Sequence, residues 1–274
     1  MLFVDSIIKL VKLGIASSYL KDEKRKLNLI LLGNPEVGKS TILLNFNFNK
    51  LKGVFVFTDL TKSTLEKFLK DLNNPKETVR YIIVPDFTIL KSHQKEVEKG
   101  IIGILNSGVE DGLREITLHY GSIPETKPFE KPIFFGVATS MTRKFLEDRR
   151  RTSYWYSVGF LSRFIPISFS YSKEQIKAIR RYIAESKDLL EKPEELRLRE
   201  KVVKCSGKYV LMLEPYVDKL ADASYTYGFR YTKQFRLMLK ANALLRGSTR
   251  VGLKDVKDVE KLLKWVNLDY NQVE

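Results

Sequence analysis

The run LLGNPEVGKST at positions 31–41 constrains this chain more than any other stretch. It holds Gly33, then Asn34, Pro35, Glu36 and Val37, then Gly38, Lys39 and Ser40, with Thr41 behind them. The preceding residues, NLILLG at 28–33, are a short apolar run ending in glycine, the pattern of a strand buried on both faces of a parallel sheet. KSTILLNFNF, at 39–48, reads as a helix. The string G-x-x-x-x-G-K-S/T recurs by chance, but it is a strong signal where it leaves a buried strand and opens a helix. The two glycines let successive backbone N–H groups turn inward around phosphate oxygens. Lys39 is then placed to neutralise terminal phosphates and Ser40 to hold Mg²⁺, with the positive end of the helix behind them. The expected ligand is a nucleotide with Mg²⁺, held by residues 33–41.

Further short apolar runs follow: GVFVFTD (53–59), VRYIIVPD (79–86), PIFFGVATS (132–140) and FIPISFS (164–170). Helical patterns at 63–72 and 95–108 separate the earlier ones, and the alternating REITLHY (114–120) looks antiparallel. Buried strands alternating with helices imply an α/β fold, a parallel sheet covered by helices on both faces. After residue 171 the pattern turns helical, apart from one strand-like run at 208–213. Three segments are therefore expected: an N-terminal amphipathic helix with a basic linker (1–27), a sheet domain carrying the motif (28–171), and a smaller, mostly helical lid (172–274).

Lysine and arginine number 48 against 33 acidic residues, a formal charge of +15. A surface this basic attracts polyanions and points to nucleic acid as a partner, or else is a basic proteome's or a soluble lysine-rich surface. The lysine- and glutamate-rich composition and low cysteine count also fit a thermophile source. A single cysteine, Cys205, excludes a disulfide framework within the chain, and His93 and His119 offer no metal-ligand spacing. The first residues place Phe3, Ile7, Ile8, Val11 and Ile15 near helical spacing, with Asp5, Lys9 and Lys12 between them. That is too charged to span a bilayer and lacks a secretory leader's features, so a helix packed on the next domain and an intracellular, cytoplasmic location are expected.

Four further positions carry chemistry. Asp86 closes the buried run YIIVPD and is expected to hold Mg²⁺ with Ser40; the alternative is an ordinary cap of the next helix. Thr139 or Ser140, ending another strand, is placed to orient the attacking water, or else to cap a helix. Arg163, just before the last strand, is placed to reach a neighbouring subunit's nucleotide, or else to sit at a solvated helix end. The basic cluster RKFLEDRRR (143–151), with Arg149, Arg150 and Arg151, precedes Tyr154, Trp155 and Tyr156. It suits phosphate contact and base stacking, or equally a charged helix above a core aromatic trio. The loop 120–131 is a second candidate for DNA contact. Lys233, Arg236 and Lys240 share one helical face, turned to nucleotide, DNA or water.

Taken in order, the 33–40 motif, Asp86, Thr139/Ser140 and LSRF (161–164) resemble the core of AAA+ ATPases. LSRF before the last strand is similar to the arginine-finger segment of MCM-type replicative helicases; DnaA-like and Orc-like initiators share the core. The resemblance spans about residues 28–265. It implies ATP bound between subunits of a homo-oligomer (ring, spiral or filament) that acts on DNA in replication as helicase, initiator or loader. It also implies catalytic roles for Asp86, Thr139 or Ser140, and Arg163, and a nucleotide-sensing role for Lys233, with Arg230 as its alternative. The chain departs from the pattern at Phe87, where hydrolysing relatives carry Glu. Either turnover is weak, leaving an ATP-dependent DNA-binding switch, or the base lies elsewhere, at Asp59 or Glu110-Asp111.

Overall fold

Four apolar tetrads or near-tetrads and one hexad build the central sheet of the computed structural model, which describes residues 3–71, 78–120, 123–185 and 193–268. In chain order the elements are α1 (Asp5–Ser17), β1 (Leu29–Leu32), α2 (Lys39–Leu44), β2 (Val54–Val56), α3 (Lys62–Asp71), β3 (Tyr81–Val84), α4 (Lys95–Glu110), β4 (Leu113–Tyr120) and β5 (Ile123–Ile133). They continue with β6 (Gly136–Met141), α5 (Arg143–Glu147), α6 (Arg149–Ser157), β7 (Ile165–Ser168), α7 (Lys173–Ala184), α8 (Gly207–Leu211), α9 (Glu214–Ser224), α10 (Phe229–Leu245) and α11 (Leu253–Leu263). Strands β2-β3-β6-β1-β7 lie side by side in that order, all parallel. The α/β class with a helix-flanked parallel sheet is as the sequence implied.

Strand residues alternate between two cores, as a period of two requires. Leu29, Leu31, Tyr81, Ile83, Ala138, Ile165 and Ile167 face one cluster, completed by α1, α2, α10 and α11. Ile30, Leu32, Ile82, Val84 and Val137 face the other, with α3, α4 and the aromatic residues Phe87, Trp155, Phe160 and Phe164. Both sheet faces are dry, which explains the near-continuous apolar strands.

Helix α1 departs from the amphipathic expectation. Ile7, Ile8, Val11 and Ile15 are buried, but so are Leu10 and Leu13 on its other side. The helix lies between the sheet and α10. Gly14 allows the approach: a Cβ there would stand 2.4 Å from the Tyr81 hydroxyl and 2.7 Å from Leu29. One apolar cluster therefore runs from β1 through α1 to α10 and α11, with no break at Ser172. Among the described residues, no helix is long and apolar enough to cross a membrane.

Three local expectations are corrected. The helix after the motif stops at Leu44, because the next residues pair with a distant segment: Phe46 bridges Glu194, and Asn47 N–H donates to the Glu194 carbonyl at 3.1 Å. Residues 207–211 are helical, with Val210 and Leu213 buried three apart and Leu211 and Met212 exposed, a helical period rather than a strand one. The expected loop 120–131 contains β5, which pairs antiparallel with β4 in a ribbon separate from the main sheet. Residues 121–122, within that expected loop, lie outside the described residues.

Candidate functional site

The chain runs from β1 to the far edge of the sheet, returns strand by strand to β6 beside β1, and then crosses to β7. Ligands of open parallel sheets bind beyond the carboxyl ends of the strands where the order reverses. Residues 33–41 occupy that point. Gly33 is required by close approach, since a Cβ would stand 2.9 Å from both the Phe169 carbonyl oxygen and Val37. Gly38 takes φ 81°, and Glu36 takes φ 67°. Val37 is buried, its carbonyl accepts from the Tyr171 hydroxyl at 3.1 Å, and Asn34, Pro35 and Glu36 are exposed.

Lys39 folds across its own loop. Its ammonium donates to the Gly33 carbonyl at 3.1 Å and the Asn34 carbonyl at 2.7 Å. Burial pulls its pKa below the usual lysine range, and the Asp86 carboxylate opposes that shift. The loop is thus a ring of backbone closed by a cation that can be recruited to an anion.

Register brings the next strands to the same level. Leu31 lies opposite Ser140, and Val84 lies opposite Thr139. Thr139 Oγ1 donates to the Val84 carbonyl at 2.8 Å; Ser140 Oγ donates to the Pro85 carbonyl at 2.6 Å. Ser40 Oγ donates to that same carbonyl at 3.2 Å. Ser40 and Asp86 are both exposed at this end. Asp86 also does what the alternative reading assigned it: Oδ1 accepts from Thr88 N–H at 2.9 Å and Thr88 Oγ1 at 2.7 Å, capping a 3₁₀ turn. The glycine-lined cradle, Lys39, and the Ser40 and Asp86 oxygens fit a nucleotide phosphate chain. Ser40 and Asp86 would hold its Mg²⁺, which supplies charge neutralisation.

Phe87 is fully buried and stacks on Phe160 at 5.6 Å, with Trp155 edge-on at 5.2 Å. A carboxylate at 87 would therefore lie in the core. Asp59 is exposed. Glu110 is committed elsewhere: its carboxylate lies 3.0 Å from Arg25, 3.4 Å from Arg163 and 3.6 Å from Arg230.

That cluster stands at the opposite end of the sheet. The Arg163 carbonyl accepts from Asn28 Nδ2 at 3.2 Å, below the first residue of β1, whereas the loop of Lys39 follows its last. Arg163 does not extend outward as expected. Its side chain is mostly covered, and Nη1 donates to the carbonyls of Val158, at 3.3 Å, and Gly159. Burial, with Arg230 beside it, lowers its pKa. Arg230 donates to Ser162 Oγ at 2.8 Å. Lys233 is exposed one turn further along α10, beside Gln234, which also reaches the Arg163 carbonyl. The structure thus groups Arg163 with Arg230 around Glu110, away from the Lys39 loop of the same chain.

The shared face of Lys233, Arg236 and Lys240 separates. Lys240 is internal, bonded to Glu23 at 2.6 Å and to Asp22, and Arg236 reaches Glu23 at 3.3 Å. In the aromatic trio, Trp155 is core, its Nε1–H donating to Glu98 at 2.5 Å; Tyr154 is half-buried and Tyr156 is 38% exposed. Arg150 is exposed on α6; the side chains of Arg149 and Arg151 lie outside the described set. Sequence reading missed the Pro85 carbonyl, Tyr171 and the Arg25–Glu110 link, because backbone acceptors and contacts between distant segments leave no local pattern. No protein-family model matches the chain, and no curated protein matches it in sequence.

Proposed function

We propose that the chain is an AAA+-like ATPase that binds ATP–Mg²⁺ in the 33–41 loop and acts on DNA as a homo-oligomer in replication. The observation that carries this reading is the convergence of Lys39, Ser40, Asp86 and Ser140 at the carboxyl ends of β1, β3 and β6. Backbone amides and Lys39 meet the phosphates; Ser40 and Asp86 hold the metal; Ser140 and Thr139 fix the strand ends against which they act. The formal charge of +15 supports DNA as the partner. The opposite end of the sheet carries Arg163 and Arg230, which meet a phosphate only if a second subunit brings one there. Lys39→Ala tests the cradle: it removes the ammonium that would meet phosphate together with its bonds to the Gly33 and Asn34 carbonyls, so a melting curve checks that the variant is folded while ATP binding is lost. Unchanged ATP affinity in the folded variant refutes the assignment.

A second reading, an ATP-dependent DNA-binding switch with little turnover, is favoured by one observation. Phe87 is locked in an aromatic stack where hydrolysing relatives place their base. Multiple-turnover ATPase assays with and without DNA separate the two.

A further inference from the structure

None of the twelve residues of α7 is buried. The helix is well begun: Ser172 Oγ accepts from Gln175 N–H at 3.2 Å, and Gln175 Oε1 accepts from Ser172 N–H at 2.9 Å. A helix this short is nonetheless marginal in water unless an apolar face is packed. Ile176, Ile179 and Ile183 fall at i, i+3 and i+7 and so share one face. Ile176 is exposed and Ile183 is 54% exposed. Lys173, Lys177 and Arg181, each four residues from the last, line up beside that face with Arg180, and all four are exposed. Glu174 is tied to the helix start, accepting from Ser172 Oγ at 2.9 Å.

The opposite pattern stands on α9. Glu214, Asp218 and Asp222 are exposed and again four apart, an acidic stripe that leaves Lys219 to one side. It runs into the turn before α10, where Tyr225, Tyr227 and Phe229 are 94%, 90% and 72% exposed. That turn is fixed: Tyr225 takes φ 53° and Gly228 φ 73°, and Thr226 N–H donates to the Ala221 carbonyl at 2.9 Å. Three large rings within five residues form a patch that signals an interaction, and the carboxylates beside them repel a polyanion.

The two surfaces lie at opposite ends of β7. Before α7, the Phe169 carbonyl approaches Gly33 and the Tyr171 hydroxyl donates to the Val37 carbonyl, beside the Lys39 loop. The α9–α10 turn adjoins the other end, where Arg230 donates to Ser162 Oγ just ahead of the strand. They cannot meet within one chain. Each copy carries both, so contact between unlike ends joins copies head to tail, closing a ring or growing a filament. The matched stripes supply local attraction against the mutual repulsion of two chains of charge +15.

We infer that α7 of one copy docks on α9 and the α9–α10 turn of the next, its isoleucine face against the three rings and its basic stripe against the acidic one. The inference rests on the homo-oligomer reading proposed above and names the surface through which the copies meet. That contact also turns the Arg163 and Arg230 end of one copy toward the Lys39 loop of its neighbour. The test is sedimentation of the full chain over a range of protein concentrations, with and without ATP–Mg²⁺, on two charge-reversed variants. Lys177→Glu/Arg181→Glu and Asp218→Lys/Asp222→Lys change exposed residues, and melting curves check that both fold. Each alone should associate about tenfold or more weakly, since like charges then face each other. An equal mixture of the two should regain wild-type association, because every interface then joins opposite stripes. Tyr225→Ala/Tyr227→Ala/Phe229→Ala should weaken association to a similar degree. If the wild type is monomeric at every concentration, with and without ATP–Mg²⁺, the homo-oligomer reading falls and this inference with it. If it associates and either reversed variant associates equally well, only this inference is overturned. Two weakened variants whose mixture recovers nothing show that the stripes do not face each other, and overturn it too. So does an α7 reversal that abolishes binding of labelled oligothymidylate while leaving sedimentation unchanged, which makes nucleic acid the occupant of α7. Recovery in the mixture by chains that bind no ATP upholds the contact and removes the nucleotide reading alone.

Discussion

Ser40 and Ser140 donate their hydroxyls to one carbonyl oxygen, that of Pro85, at 3.2 and 2.6 Å. The first comes from the exposed start of α2, the second from the buried end of β6. The pair ties the loop of β1 to the strand end that presents Asp86. Their different burial separates their roles. Ser40→Ala should leave stability within about 0.5 kcal/mol of wild type yet abolish the Mg²⁺ dependence of ATP binding. Ser140→Ala removes a buried hydrogen bond and should cost about 1 kcal/mol of stability. Melting curves and ATP titrations with and without Mg²⁺ check both. A Ser40→Ala protein whose ATP affinity still rises with Mg²⁺ removes Ser40 from the metal site.

Phe87 fills the space between Phe160 and Trp155. Phe87→Ala should therefore cost about 3–5 kcal/mol by opening a cavity in that core. Phe87→Glu, which places a carboxylate directly after Asp86, should not raise turnover. It buries a charge with no partner and should destabilise at least as much as alanine. Denaturant unfolding of the two variants beside an ATPase assay decides the matter. A folded, faster Phe87→Glu enzyme would show that residue 87 can turn toward the nucleotide.

The parallel strands were legible because burial on both faces leaves them almost wholly apolar, as in YIIV and LILL. The 33–40 loop was legible because backbone geometry demands Gly33 and Gly38. β5 was not, since Pro124, Pro128 and Pro132 within a charged run read as loop. In a two-stranded ribbon both strands are edges, where a missing N–H costs little. α1 was half legible: Ile7, Val11 and Ile15 mark one face, but Leu10 and Leu13 needed the partner α10 to be interpretable. The Glu110 cluster was invisible because Arg25, Glu110, Arg163 and Arg230 meet only through the fold.

Lys26 predicts a dependence of stability on pH. Its ammonium is buried, donating to the Glu23 carbonyl at 2.5 Å and the Leu20 carbonyl at 3.4 Å. Burial, reinforced by Arg80, lowers its pKa to about 8, against the partial opposition of Glu23, Glu200 and Asp22. Unfolding returns it to the ordinary lysine value of 10.5. Between those values the unfolded chain binds more protons, so this group's contribution rises with pH. The penalty is complete below pH 8 and is relieved, by at most about 3 kcal/mol, above 10.5. Lys26→Met should be more stable relative to wild type at pH 7 than at pH 10. A difference between the two proteins that stays constant across that range would show that Lys26 remains charged in the fold.

Arg163 yields the most demanding prediction. Its guanidinium is held by the Val158 and Gly159 carbonyls and stands 3.4 Å from Glu110. Glu110 keeps Arg25 and Arg230 when Arg163 is removed, so Arg163→Ala should cost only about 1 kcal/mol of stability, less than breaking an isolated buried pair. Because it lies at the other end of the sheet from Lys39, its loss should leave ATP affinity unchanged. Turnover should fall by about 10³-fold or more if the side chain swings out to stabilise transferring phosphate in a neighbouring subunit. Lys39→Ala should be inactive for the opposite reason, lacking the phosphate contact itself. Mixed oligomers then contain some interfaces with an intact Lys39 loop facing an intact Arg163, and part of the activity should return as protein concentration rises. Glu110→Gln adds an independent readout: weakening the internal anchor should not lower turnover if Arg163 works by leaving it, whereas a purely structural Arg163 predicts parallel losses of stability and activity in both variants. Wild-type hydrolysis by Arg163→Ala removes the trans role outright. Two inactive variants that fail to complement in demonstrably mixed oligomers leave the cluster as a brace between α4 and α10.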